Sequence, residues 1–363
     1  MPERLKRWLR LKAAPDIGNQ GELKLLQVFG DPFTWTREYM QTALRQRLIS
    51  QTTFDYLTSD ADPENFANIC KDMEQYNIRY TTFLDDDYPA LLKSIFSPPL
   101  VLYYRGDLVQ AQSDWNLAVV GTRKPSEYGR GLTRAITEPI AKAGVTIVSG
   151  LAYGIDTAAH KAALKADGKT IAVLAQGLER IYPPQNHELA EQILQKGAIV
   201  SEFEPGSKME RWNFPARNRI ISGLSHAVLV AEGPITSGAL LTAKFALEQN
   251  RDVYALPGQV NLLNAQGPNH LIKNGARLVT QAEDILQDFG IDLTSPDQID
   301  LFPVLSENEQ TVYTLFQTEQ RAFSFDELVF KTGFTIGQVS IVLLNLELKG
   351  LLIKSEGNQF ALR

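Results

Sequence analysis

Cysteine is nearly absent from this 363-residue chain, Cys70 being the only one, and there are just four histidines. A single thiol excludes a disulfide framework and any zinc site built on paired cysteines, and it suits a reducing compartment. No apolar run approaches the ~20 residues that a membrane span needs. The opening segment MPERLKRWLRLKAAPDIG is basic but lacks the apolar stretch of a secretion signal. A cytoplasmic protein without a membrane partner is expected. Motifs are missing too. No G-x-G-x-x-G follows a strand, which argues against a nicotinamide-dependent dehydrogenase. No H-E-x-x-H or G-x-S-x-G is found. Gly168-Lys169-Thr170 imitates the end of a Walker A loop, but Ala163 holds the first glycine position and a strand follows where a helix should. Neither a cofactor nor a metal is expected.

Positive charge is scarce overall, with a net charge of −6, which by itself argues against nucleic acid. The distribution differs from the total. Residues 115–280 hold 18 Lys and Arg against 13 Asp and Glu, whereas residues 281–310 hold eight acids and no Lys or Arg. An acidic segment thus masks a mildly basic centre.

Three textures follow one another along the chain. Residues 1–80 carry helix-spaced apolar positions in GELKLLQVFG, REYMQTALRQRL and PENFANICKDMEQY. The turn in PDIGNQGEL is similar to a SAM or helix-hairpin-helix hairpin, although Asp16 stands where a phosphate-holding hairpin carries glycine. A structural helical domain is the better reading. From residue 81 to 285, apolar runs alternate with helical ones: NLAVVG, GVTIVSG, KTIAVLAQG, GAIVSEF, HAVLVAEG, DVYAL and ARLVT. Continuous apolar strands separated by helices predict an α/β, Rossmann-like, doubly wound parallel sheet. Residues 286–303 read as an acidic linker. Residues 304–363 read as a winged helix of three helices and a hairpin with a Gly-Asn turn. Ser306 (with Gln310 nearby), Ser324 (with Glu327) and Thr335 (with Gln338) open its helices, the last two with capping-box spacing.

Ligands of doubly wound sheets bind at the carboxyl ends of the strands. Three segments place glycine-rich turns there, each at the mouth of a helix. They are VVGTRKPSEYGRGL with Gly121, Thr122 and Arg123, SGLAYGIDTAAHKAAL with Ser149, Gly150 and Gly154, and AEGPITSGALL with Ser237 and Gly238. Free N–H groups and the helix dipole favour an anion at each mouth. FPARNRIISG adds Arg217, Asn218 and Arg219, whose alternative reading is an arginine loop tied to Glu202 or Glu204. Tyr153, Tyr182 and Phe214 supply rim aromatics, which could stack on bases. Asp156 and His160 are four apart on one helical face, but structural roles are the better reading for them, as for His187 and His226.

These segments, with PPLVLYYRGD, TIAVLAQGLERIYPPQNHELA and GPNHLIKNGA, resemble the DNA-processing protein A family (DprA, also called Smf) over about residues 80–285. The resemblance implies an extended Rossmann fold that binds single-stranded DNA without catalysis. It implies protection of incoming strands in natural transformation, help in loading the RecA recombinase, and a homodimer built through the sheet domain. It carries DNA contacts onto Arg123, Lys169, Arg217 and Arg219, and brings Asn186 of YPPQNHELA into the interface. The competing enzyme class is a Rossmann-type phosphoribohydrolase, but EGPITSGALLTA lacks the paired glycines of its P-G-G-x-G-T signature. The second long helix of the winged unit, TIGQVSIVLLNLELKG, offers only Gln338, Asn345 and Lys349 for base reading. A protein contact is expected of that unit rather than duplex readout.

Overall fold

The computed structural model describes residues 2–59, 62–291, 306–319, 321–348, 351–355 and 359–362. It divides into two compact units, Met1–Leu293 and Thr294–Arg363. Among the described residues, no single helix is long and apolar enough to cross a membrane.

The first unit opens with helices Pro2–Lys12, Asn19–Phe29, Arg37–Arg45, Gln51–Thr58 and Phe66–Gln75. Thr36 and Ser50 cap two of them, accepting from the N–H groups of Tyr39 and Thr53 at 3.3 and 3.1 Å. Asp16 takes a left-handed φ of 60° in the first turn, as a glycine would, and accepts a hydrogen bond from Ser50. That turn is occupied structurally. The helices have no core of their own. Trp8, Leu25, Met40 and Phe54 share one apolar cluster with Val101, Tyr103, Leu189 and Ile193 of the sheet region.

The sheet has nine strands: β1 (Arg79–Thr82), β2 (Val101–Gly106), β3 (Asn116–Val120), β4 (Thr146–Ser149), β5 (Thr170–Val173), β6 (Ala198–Ser201), β7 (Ala227–Val230), β8 (Asp252–Ala255) and β9 (Arg277–Leu278). Their order is β1-β2-β6-β5-β4-β3-β7-β8-β9. The seven strands from β6 to β9 run parallel, each at one of the expected apolar runs. β1 and β2 add an antiparallel edge that the sequence reading did not foresee. Every residue of β3 is buried. Ala118 and Val120 face one core, Leu117 and Val119 the other, as two helix-covered faces require.

From β3 the chain steps outward through β4 and β5 to β6, then returns to lay β7 on the other side of β3. The loops leaving β3 and β7 therefore diverge, and the topological switch point lies between them. Leu286 and Phe289 are buried in the sheet unit's core, and Ile291 packs against it. The unit thus extends past 286, where a linker was expected to begin. The rest of the 286–303 segment lies outside the described residues.

The second unit comprises helices Glu307–Glu319, Phe325–Thr332 and Ile336–Leu348 with strands β10 (Phe323–Ser324), β11 (Leu352–Ser355) and β12 (Gln359–Leu362). Capping boxes open the second and third helices as expected, Ser324 with Glu327 and Thr335 with Gln338. At the first helix the partner of Ser306 is Glu309, not Gln310. Lys349 and the Gly-Asn turn lie outside the described residues.

Candidate nucleic-acid interface

The structure brings the three glycine-rich mouths to one edge of the sheet, but they are not equivalent. In the first, Ser126 caps the Glu127–Lys142 helix. Glu232, itself buried, accepts both the N–H and the hydroxyl of Ser126, at 2.8 and 2.6 Å. A Cβ on Gly129 would collide with that carboxylate. Thr122 N–H goes to the Glu232 carbonyl at 2.7 Å. In the second mouth, Asp156 Oδ2 accepts from Gly150 and Ala152 N–H at 3.1 and 3.3 Å. Burial pushes the Asp156 carboxyl above the usual range, with Arg217 and these N–H groups pulling the other way. Gly154, at a φ of 83°, makes the turn possible. Two mouths expected to seat a ligand anion are therefore filled by the chain's own carboxylates.

The third mouth is open. Ser237 precedes the Gly238–Glu248 helix, no side chain caps that helix, and the buried Ser237 Oγ has no hydrogen-bond partner. In front of it lies a cleft of about 490 Å³ at the switch point, lined by Gly121, Thr122, Arg123, Phe214, Arg217, Asn218, Ser237 and Gly238, among others.

Two guanidinium groups face this cleft from different footings. Arg217 is only 5% exposed. Its Nη1 donates to the carbonyls of Gly150 (2.7 Å) and Val173, and its Nε to Asn218 Oδ1 (3.2 Å). A Cβ on Gly150 would collide with the guanidinium. No described carboxylate pairs with Arg217, and no described acceptor takes Nη2. Burial lowers its pKa to about 10, Asp156 opposing and Arg123 adding to the fall, so it is still charged at neutral pH. Arg123 is exposed and lies over the Phe214 ring, 5.1 Å from its centroid, with no hydrogen bond or ion pair to any described residue. On the other side of Phe214 a smaller hollow is walled by Tyr153 and Tyr182, together with Arg123 and Arg217. The aromatic rim and the arginines meet here.

Other expected contacts lie elsewhere. Arg219, two residues beyond Arg217 on the same helix, projects from the opposite side. It donates to the Ser97 carbonyl at 2.7 Å and pairs with half-buried Glu202, so it is a structural tie. Lys169 is exposed but precedes β5, at the amino end of the sheet. At about 3.3 Å per residue, the length of β5 separates it from the carboxyl edge. Asn186 is buried and donates to the Leu151 carbonyl and Thr157 Oγ1 at 2.8 and 2.9 Å. Ser149 is buried with its hydroxyl on the Val119 carbonyl. Both hold loops in place. His160 is fully buried on Thr170 Oγ1 (2.7 Å), and burial together with Arg217 takes its pKa down to about 3. His226 accepts from the Asn116 N–H. Among the described residues, no group of three or more His, Cys, Asp and Glu side chains is placed to hold a metal.

Glu232 was not anticipated, because an acid following a strand carries no sign of where its carboxylate turns. Arg211 and Trp212, both exposed just before the Asn213–Gly223 helix, were also passed over. The basic-aromatic alternation of KMERWNF was the available signal.

The sequence matches the DNA recombination-mediator protein A family over residues 79–290. The chain belongs to this family. Residues 303–358 match the DprA winged helix domain. The chain is 41% identical over 331 residues to Protein Smf of Synechocystis sp., covering 80% of this chain and 81% of that one. Among solved structures it is similar to DNA processing protein A from Streptococcus pneumoniae, with 35% identity, a TM-score of 0.65, and coverage of 77% of this chain and 95% of that one. It is also similar to DNA processing protein A from Helicobacter pylori, whose structure is described as giving insight into a single-stranded DNA binding mode. There the identity is 31% and the TM-score 0.54, over 59% of this chain and 97% of that one.

Proposed function

We propose that this protein binds single-stranded DNA without catalysis, seating strand phosphates in the switch-point cleft and bases against the Tyr153, Tyr182 and Phe214 rim. The observation that carries the reading is the unfilled third mouth facing Arg217 and Arg123. An open helix N-terminus and two guanidinium groups that form no ion pair with any described carboxylate make a seat for phosphate. The adjoining rings suit stacking that tolerates any base. The acids nearest the cleft speak against hydrolysis, since Asp156 and Glu232 are committed to backbone and Ser126 donors. In the cytoplasm, the protein would shield incoming strands during natural transformation and help to load RecA, acting as a homodimer.

Fluorescence polarisation with labelled oligo-dT tests the core of this reading. Log K should fall with log salt at about −0.7 per phosphate contact. Equal affinity for duplex and single strand, or a flat salt response, would refute it. If two grooves of a dimer share one strand, affinity should rise in a step with oligonucleotide length. A smooth rise from a monomeric protein would remove the dimer from the proposal.

A further inference from the structure

A second cavity, of about 150 Å³, lies in the helical region and is lined by Arg7, Arg10, Trp35, Thr36, Arg37 and apolar neighbours. No described acidic residue lines it. Arg7 and Arg10 are three apart on the Pro2–Lys12 helix and so share a face. Two other basic residues of that helix are neutralised, Arg4 by Asp31 and Asp85 at 2.7 and 2.6 Å, and Lys6 by Asp62. Arg7 has no hydrogen bond or ion pair with any described residue. Among the described residues, Arg37 has only the Phe54 ring beneath it, 5.9 Å away. Arg10 is 2% exposed and is anchored in the wall, donating to the Tyr56 carbonyl and to Ser59 Oγ at 2.8 Å. Thr36 caps the Arg37–Arg45 helix, so the positive end of that helix opens on the same cavity.

Three guanidinium groups around one hollow repel one another unless an anion joins them. Their planar forks match phosphate oxygens. Trp35 is held by its indole N–H on the Gly30 carbonyl at 3.0 Å. With Met40 and Leu57 it gives the hollow an apolar side that a bare, hydrated ion would not use. We infer that this cavity holds a phosphodiester of a single DNA strand, as an anchor separate from the sheet cleft. Only the source of the phosphate rests on the function proposed above.

The test uses the full chain with Arg7→Ala and Arg37→Ala combined, leaving Arg10 because it supports the fold. Thermal melting should match the unsubstituted protein. Affinity for a long oligo-dT should drop roughly tenfold, and the salt slope should flatten by about 1.4 for two lost contacts. The Trp35 indole N–H resonance, assigned with Trp35→Phe, should shift on adding oligo-dT, and the double variant should abolish that shift. An indole shift with inorganic phosphate but none with oligo-dT would mark a free-anion site and overturn the strand assignment. Unchanged affinity and slope in the double variant, with Arg123→Ala still weakening binding, would overturn this inference alone. Failure of the unsubstituted chain to bind oligo-dT would overturn both.

Discussion

Replacing Arg217 by lysine keeps the charge and removes the fork. In the structure one guanidinium serves Gly150, Val173 and Asn218 at once, tying the loop after β4 and the end of β5 to the helix before β7. A lysine offers one nitrogen on a flexible stem that ends one bond short of the Nη positions, so it cannot occupy these positions together. At least one buried carbonyl is left without its donor, which costs ~1–3 kcal/mol, and the surviving contact is weaker. A loss of about 2–3 kcal/mol is expected. For a unit of this size that lowers the melting temperature by roughly 3–5 °C. Strand affinity should fall with it, because Gly150 and Phe214 lose the group that fixes their spacing. Calorimetric melting at pH 7 and oligo-dT polarisation read the two effects separately. A melting shift under about 2 °C would refute the claim that this side chain locks the site. Unchanged affinity despite a large melting shift would make Arg217 purely structural.

Arg123→Ala should behave oppositely. Among the described residues its only partner is the Phe214 face, so stability should change by no more than about 0.5–1 kcal/mol while the salt slope of strand binding flattens by about 0.7. Lys169→Ala, at the far edge of the sheet, should leave both unchanged, and a weakened complex would show that the strand reaches the amino ends. His160 has a pKa of about 3 in the fold against 6.5 unfolded, so the unfolded chain binds the extra proton between those values. Its contribution is complete above pH 6.5 and is lost as pH falls toward 3. Between pH 7 and pH 5 the protein should lose about 2 kcal/mol that a His160→Gln variant does not lose, measured by denaturant unfolding. Deleting residues 304–363 should change single-strand affinity by less than about tenfold, or ~1.4 kcal/mol. The exposed Ile336, Ile341 and Leu344 suit a protein contact, and specific duplex binding by the isolated unit would contradict that.

Much of the fold was legible because parallel strands buried on both faces leave uninterrupted apolar runs, as in NLAVV and HAVLV. β1 was not legible. Its RYTT contains no apolar run, its two buried positions are threonines, and it sits at an edge of the sheet. At the site, glycine positions and aromatics could be read from sequence because turns and rims constrain residue type. Side-chain direction could not. Arg217 and Arg219 are chemically identical and two apart, yet one reaches the cleft and the other reaches Glu202. Only the helical phase of the Asn213–Gly223 segment decides between them. Lys169 lies away from the cleft for a related reason, since a residue preceding a strand lies at the opposite edge from one following it.

The carboxylate of Glu232 has a consequence for redesign. In dinucleotide-binding relatives of this architecture, the turn after the first parallel strand cradles a pyrophosphate. Here that cradle is tenanted from within. Restoring a G-x-G-x-x-G sequence after β3 would not create a coenzyme site while Glu232 remains, because its negative charge lies where the diphosphate would have to enter. Glycines give a loop its shape, but vacancy decides whether that shape is available to a guest. A conversion attempt on this scaffold would have to begin at residue 232, in the loop after β7 rather than the one after β3 that carries the motif being copied.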